Sequence, residues 1–226
     1  MIVPTPPMKV GVLLSGGLDS SILLARLVEE GNQVQPFYVR SQLIWEQNEL
    51  RAAHEFVDAL NSTLVNQLVT LELPLLDLYE KHWSTTGIGI PDASSPDEAV
   101  FLPGRNALLI IKAALWCQMR QVPSLAIGVL DGNPFLDATE EFFGNLQNAL
   151  NLASSHTLQL IRPFAKWNKR QVMEFGRSYP LELTFSCLQP VDRMHCGTCN
   201  KCAERHQAFD VIGANDPTHY AQMALV

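Results

Sequence analysis

The chain has 226 residues, a length for one domain or for one domain with a small appendage. Its 47% hydrophobic and 17% charged content describes a globular core and excludes a disordered chain, and a net charge of −7 speaks against a broadly basic nucleic-acid surface, leaving room only for a local basic pocket. No apolar run approaches the roughly 18 residues of a membrane span, and the opening MIVPTPPMK has three prolines and no signal-peptide core, so a cytoplasmic protein is expected.

The first unit spans Lys9–Gly31. An apolar run from Val10 to Leu14 reads as a buried parallel strand. A Ser-Gly-Gly turn follows, then a helix from about Ser20, with Leu23, Leu24, Leu27 and Val28 at helical spacing and Gly31 at its C-terminal cap. Strand, glycine turn and helix together aim backbone N–H groups and a positive helix end at an anion. The loop Ser15–Ser20 lacks the lysine of a Walker-A loop and the glycine spacing of a dinucleotide fingerprint. Gly16 and Gly17 let backbone wrap phosphates, Ser15, Ser20 and Ser21 add hydroxyls, and Asp19 belongs beside phosphate only if it holds Mg²⁺. An ordinary serine-capped turn is the plain alternative. The pattern SGGxDS resembles the pyrophosphate loop of the N-type ATP pyrophosphatases, enzymes that adenylate a carboxyl, carbonyl or similar oxygen.

Val34–Val39 reads as the second strand, and the resemblance places adenine near its end, at Tyr38, Val39 and Arg40. Ser41–Leu60 is helical by pattern with Glu46, Glu49 and Arg51 on exposed faces, and Leu64–Leu71 is a third strand. This alternation predicts a doubly wound, mainly parallel α/β sheet with ligands at the carboxyl ends of its strands. Leu75–Asp97 is a lid or functional loop, in which His82 and Trp83 either stack on a base or pack beneath the loop. Pro103-Gly104 forces a turn, Asn106 is suited to cap the helix Ala107–Met119, and Arg105 opposes the helix dipole unless an anion lies nearby. Cys117 in that helix reads as core, with a reactive thiol as the alternative. Leu125–Leu130 is a further strand, followed by the loop Asp131–Phe143 and a helix Phe142–Ala153. Gln159–Pro163 is a short strand and Lys169–Ser178 a helix, whose Lys169 either reaches phosphate or is solvated.

Cys187, Cys196, Cys199 and Cys202 form C-x8-C-x2-C-x2-C, with Gly197 allowing the sharp turn. Four thiolates at this spacing can close a tetrahedral Zn²⁺ site with bonds of about 2.3 Å, leaving no open position, so its role is structural. His195 or His206 as a ligand and an iron–sulfur cluster are the alternatives. The expected division is an α/β domain over 1–180 and a zinc-binding helical arm over 181–226.

Taken together, SGGLDS, PGRN at Pro103–Asn106, the segment from Ile127 to Phe142, ALNL at Ala149–Leu152, LELTFSC at Leu181–Cys187 and CGTCNKCAERHQAF at Cys196–Phe209 resemble the 7-cyano-7-deazaguanine synthases of queuosine-precursor biosynthesis. The resemblance runs from Lys9 to about Pro217 and implies an adenine-nucleotide alpha-hydrolase-like fold. It also implies an ATP- and Mg²⁺-dependent carbon–nitrogen ligase that adenylates 7-carboxy-7-deazaguanine, accepts ammonia to give the amide, and adenylates again to leave the nitrile.

By the same resemblance ATP is held by Ser15, Gly16, Gly17, Leu18, Asp19, Ser20, Ser21, Tyr38, Val39, Arg40 and Gly104. Asp19, Arg105 and Lys169 carry the catalysis, and Arg105, Asn106, Asp137, Glu141 and Phe142 bind the substrate. The implied cofactors are structural Zn²⁺ and Mg²⁺ with ATP, in a homodimer that acts on small molecules and binds no membrane and no stable nucleic acid. This chain departs from the family in two places. It has GVLDGNPFLDATEEF where the family has a longer loop like GVNxxDYSGYPDCRPEF, so the tyrosines are missing and Thr139 replaces an arginine. After the second strand it has YVRSQLIWEQ in place of YGQRH. A related ligase that stops at an amide, or passes the acyl group to another amine, is the alternative these changes permit, and a non-catalytic zinc ribbon that binds nucleic acid is the alternative of a different class.

Overall fold

The computed structural model describes residues 8–222, so most of the opening stretch read as lacking a signal peptide lies outside it. Five parallel strands form one sheet in the order β3-β2-β1-β4-β5: β1 Lys9–Leu13, β2 Gln33–Arg40, β3 Val69–Glu72, β4 Ser124–Ala126 and β5 Gln159–Ile161. The expected doubly wound parallel sheet is therefore present. Central β1 is paired on both edges and covered on both faces, which is why it reads as an unbroken apolar run rather than an alternating one.

Helices α1 (Leu18–Glu29) and α2 (Glu46–Leu60) bury one face of the sheet, joined there by α7 (Lys169–Gly176) and α8 (Asn200–Asp210). Helices α5 (Arg105–Met119) and α6 (Glu140–Leu152) bury the other. Cys117 is fully buried in that second core, and burial pushes its thiol up to about 12, so it packs and does not react. A third core joins Leu43, Trp45, Val100, Leu102, Phe185 and Leu188 around the four clustered cysteines.

Several elements differ from the periodicity (β3, for one, begins at Val69 and not at Leu64), and three segments show a local reason. Helix α2 begins at Glu46, five residues later than the pattern suggests. The Glu46 carboxylate accepts the N–H groups of Ser41 and Gln42 and a bond from Arg40 Nε at 3.0 Å, which fixes Ser41–Trp45 as a turn. Glu46 is consequently buried, not exposed. Strand β4 stops at Ala126 because the chain then turns toward the serine loop; a Cβ on Gly128 would lie 3.3 Å from the Asp19 carbonyl. In Leu75–Asp97 the chain forms two single-turn helices, α3 (Leu76–Tyr79) and α4 (Trp83–Thr86). Trp83 stacks on Trp45 at 5.6 Å and His82 Nδ1 accepts the Ser84 N–H, so both rings serve the loop's own packing.

Helix α5 is capped from a distance. Its cap residue, Gly104, offers no side chain, and Asn106 lies inside the first turn. Asp137 accepts the Asn106 N–H at 3.0 Å, and Asn106 Nδ2 returns bonds to the Asp137 carboxylate and carbonyl at 3.2 and 3.1 Å. Losing a cap costs about 0.5–2 kcal/mol, and here a half-buried side-chain amide also loses its partner. D137A is expected to destabilise the chain by about 2 kcal/mol, lowering Tm by about 4–8 °C in a thermal melt; an unchanged Tm would show that α5 needs no such cap.

Candidate active site

A cavity of about 310 Å³ opens at the carboxyl ends of β1, β2 and β4, where the strand order reverses between β1 and β4. Doubly wound sheets bind their ligands at such a point. The loop between β1 and α1 forms its floor. Ser15 and Ser20 exchange a hydroxyl hydrogen bond at 3.0 Å, and the Ser15 N–H donates to Ser20 Oγ at 3.2 Å. Gly17 caps α1 without a side chain, and the first intrahelical bond comes from Ser21 N. The N–H groups of Leu18, Asp19 and Ser20 thus have no protein partner among the described residues and form an anion site at a helix start. Gly16 makes the tight turn at φ +80°, and a Cβ there would meet the Glu49 carbonyl at 2.5 Å. Its own carbonyl accepts the Phe185 N–H at 2.7 Å, so the loop is clamped between α2 and the C-terminal arm.

One wall of the cavity is an alternating chain of charges. Lys169 Nζ bridges both Asp19 oxygens at 2.8 and 2.9 Å and reaches Glu204 at 3.2 Å, and Lys201 pairs with the same glutamate. Burial alone would lower the Lys169 ammonium, but Asp19 and then Glu204 outweigh it and hold it raised. Burial likewise opposes ionisation of Glu204, yet Lys169 and Lys201 pull it down to about 2. The signs agree. Lys169 lends stability that is whole below the ordinary lysine value and lost only above it; Glu204 lends stability present above the ordinary glutamate value and lost as pH falls toward 2. Lys169 and Glu204 therefore stay charged through the neutral range.

The opposite wall holds Tyr38, Glu49 and Arg105. The Tyr38 hydroxyl donates to Glu49 Oε2 at 3.0 Å, and burial pushes the Glu49 carboxyl up to about 7 against the pull of Arg105. Arg105 stands at the first position of α5, and its Nε is buried without a partner, a donor waiting for a ligand oxygen.

The structure brings Ser15, Gly17, Leu18, Asp19, Ser20, Tyr38, Val39, Arg105, Asn106 and Lys169 to this cavity, with Gly16 packed behind the loop. Six expected residues lie elsewhere. Ser21 points into the core, and Gly104 forms the turn before Arg105 without lining the cavity. Arg40 is spent on Glu46 and Glu72 at the sheet edge. Asp137 stands behind Asn106 as the cap of α5, Glu141 faces solvent, and Phe142 packs edge-on against Phe143. The sequence reading missed Trp45, Glu49, Phe185, Ser186, Lys201 and Glu204. Lys201 and Glu204 carried a usable signal, because they follow Cys199 on the helix that it starts.

That helix leads back to the four cysteines, whose ligand atoms all lie within 4.8 Å of one another. The Sγ separations of 3.5 Å (Cys199–Cys202), 3.8 Å (Cys196–Cys202) and 4.0 Å (Cys187–Cys199) match the spacing of about 3.8 Å that a tetrahedron of about 2.3 Å bonds requires. Backbone N–H groups of Leu188, Gln189, Cys196, Thr198 and Cys199 donate to the sulfurs and offset thiolate charge. The cluster fits a bound metal ion. His195 accepts the Ser186 N–H and His206 pairs with Asp216 at 3.2 Å, so both lie outside the ligand set. No helix among the described residues is long and apolar enough to cross a membrane.

Fold and site define a doubly wound α/β protein with an anion loop at its switch point and a four-thiol cluster, fit for a metal ion, on the arm that walls the same cavity. The family described as queuosine biosynthesis protein QueC matches residues 9–213, and the chain belongs to that family. The 7-cyano-7-deazaguanine synthase 1 of Desulfitobacterium hafniense is 32% identical over 208 residues, covering 90% of this chain and 92% of that one. The 7-cyano-7-deazaguanine synthase of Methylobacillus flagellatus is 31% identical over 230 residues, covering 96% and 97%. That of Methanothermobacter thermautotrophicus is 28% identical over 225 residues, covering 93% and 98%.

Proposed function

We propose that the chain is an ATP-dependent 7-cyano-7-deazaguanine synthase, which converts 7-carboxy-7-deazaguanine and ammonia to the nitrile. The observation that carries this reading is the convergence of the loop's free N–H groups, Asp19, Lys169 and Arg105 on one cavity. A carboxylate is a poor electrophile until one of its oxygens becomes part of a leaving group. In the reaction that oxygen attacks the α-phosphorus of ATP and the bond to pyrophosphate breaks. The loop and Lys169 take up the negative charge of the departing pyrophosphate, and Arg105 orients the acid through its free Nε. Ammonia then forms the C–N bond, AMP leaves with the C–O electron pair, and the nitrogen sheds one proton to leave the amide. A second ATP adenylates the amide oxygen, and loss of AMP and the last N–H protons leaves the nitrile.

Asp19 suits the Mg²⁺ that accompanies ATP, since its carboxylate enters the cavity and already faces a cation. When bound, the ion would supply further neutralisation of phosphate charge. The sulfur tetrahedron suits Zn²⁺ as a structural ion: four thiols this close fit one metal, whereas an iron–sulfur cubane spreads its cysteines over separate irons. A ligase that stops at the amide is the second reading, favoured by the displacement of Asp137, Glu141 and Phe142 from the cavity. The two readings separate by the product made from the acid, ATP, Mg²⁺ and ammonium: nitrile supports the first, and amide alone or no turnover contradicts it.

A further inference from the structure

The cavity is lined by three acids, and two of them are already matched. Asp19 is held by Lys169, and Glu204 by Lys169 and Lys201. Glu49 forms no ion pair among the described residues; the Tyr38 hydroxyl donates to one of its oxygens at 3.0 Å and the Trp45 side chain also favours its ionised form, but no cation closes on it. Arg105 also forms no ion pair there, and its buried Nε lacks a partner. These two opposite charges feel each other through the cavity without closing on each other. Trp45, Phe135 and Phe185 line the same space and give it walls on which a flat heterocycle can lie.

An unmatched carboxylate beside an unmatched guanidinium is costly in a buried site unless a ligand completes both. The ligand that does so carries N–H donors at one end and acidic oxygens at the other. Burial holds the Glu49 carboxyl up at about 7 against the pull of Arg105 and of the Tyr38 and Trp45 bonds, as for an acid with no cation in direct contact. The other carboxylates the family resemblance offers for such an edge are taken: Asp137 caps α5, and Glu141 faces solvent.

We infer that Glu49 is the specificity-determining residue of this site, its carboxylate accepting the paired N–H donors of a guanine-like edge while Arg105 engages the acid group across the ring. This inference rests on the substrate reading above. A glutamine at this position would keep the shape but turn one N–H donor toward the substrate's own donors, leaving polar groups unpaired.

The test measures kcat/KM for 7-carboxy-7-deazaguanine and for the same acid without its 2-amino group, in the full-length wild type, E49Q and E49D. The wild type is expected to prefer the 2-amino acid by about 100-fold or more. E49Q is expected to lose about 100-fold on that acid and to retain less than about 10-fold preference, with KM for ATP and for ammonium changed less than about threefold. An unchanged preference in E49Q, or a loss that falls on ATP or ammonium, overturns the inference. If a melting curve shows that E49Q does not fold, E49D decides. It keeps the charge but draws it back by one methylene, and it too is expected to lose preference about 10-fold; full preference in E49D overturns the inference. A wild type that turns over neither acid defeats the substrate reading itself and this inference with it, whereas an active wild type with an indifferent E49Q defeats this inference alone.

Discussion

Replacing Cys202 by serine is expected to lower Tm by about 10 °C or more and to abolish ATP-dependent turnover together with metal binding. Cys202 lies in the first turn of α8, its sulfur 3.5 Å from that of Cys199 and 3.8 Å from that of Cys196. Structural zinc contributes apparent free energies on the order of 10 kcal/mol, and about 2–4 °C of Tm follows each kcal/mol in a chain of this size. Activity is lost with the metal because the arm builds part of the cavity. Phe185 clamps the serine loop through the Gly16 carbonyl, and Lys201 and Glu204 complete the charged wall from α8. Arg205, fully buried, ties that helix to Thr184 at 2.8 Å and to the Leu181 carbonyl at 2.9 Å. Chelation should reproduce both losses and Zn²⁺ should reverse them; a chelated protein with unchanged melting and turnover would remove the metal from the account.

K169A is expected to reduce kcat/KM by about 10³-fold while lowering Tm only modestly, since Glu204 keeps Lys201 as its partner. Lys169 begins α7 behind an Asn168–Gln171 capping box, a helix start where a cation would be unfavourable on its own. Asp19 and Glu204 reverse that preference and aim the ammonium into the cavity. Without it Asp19 faces the phosphates with no cation beside it, and Glu204 keeps only Lys201. Arginine at this position retains charge but not the compact ammonium that fits between two acids, so K169R should recover only part of the loss. Steady-state kinetics at saturating ATP and a thermal melt separate this role from a structural one: K169A with wild-type turnover would exclude Lys169 from catalysis, and a collapse of Tm would mark it as a structural residue.

The βαβ unit and the cysteine cluster are local features, and they were legible for that reason. Strand, loop and helix in Lys9–Gly31 depend on residues close in sequence, and the spacing of Cys196, Cys199 and Cys202 fixes a chelate with Cys187 alone arriving from outside. What periodicity could not carry was the destination of single polar side chains. Glu49 reads as exposed when its helix is begun at Ser41. The turn held by Glu46 delays that helix, and Glu49 lines the cavity with its carboxylate bonded by Tyr38. Asn106 has the composition of a cap, yet the cap is Asp137, 31 residues away in sequence. Arg40 follows a strand end where a nucleotide contact is natural, but Glu46 and Glu72 engage it first. Each miss is a specific side-chain pairing of a polar group, near in sequence for Glu46 and distant for Asp137 and Glu72, and such pairings leave no periodic trace.

The central claim is that adenylation in this cavity carries one acid through to a nitrile, and the most direct measurement is the product formed. Purified chain incubated with 7-carboxy-7-deazaguanine, excess ATP, Mg²⁺ and ammonium should yield 7-cyano-7-deazaguanine by mass, with two AMP and two pyrophosphate released per nitrile and the amide passing through as an intermediate. Accumulation of the amide as the end product, or no consumption of the acid by a folded, metal-replete chain, would contradict it.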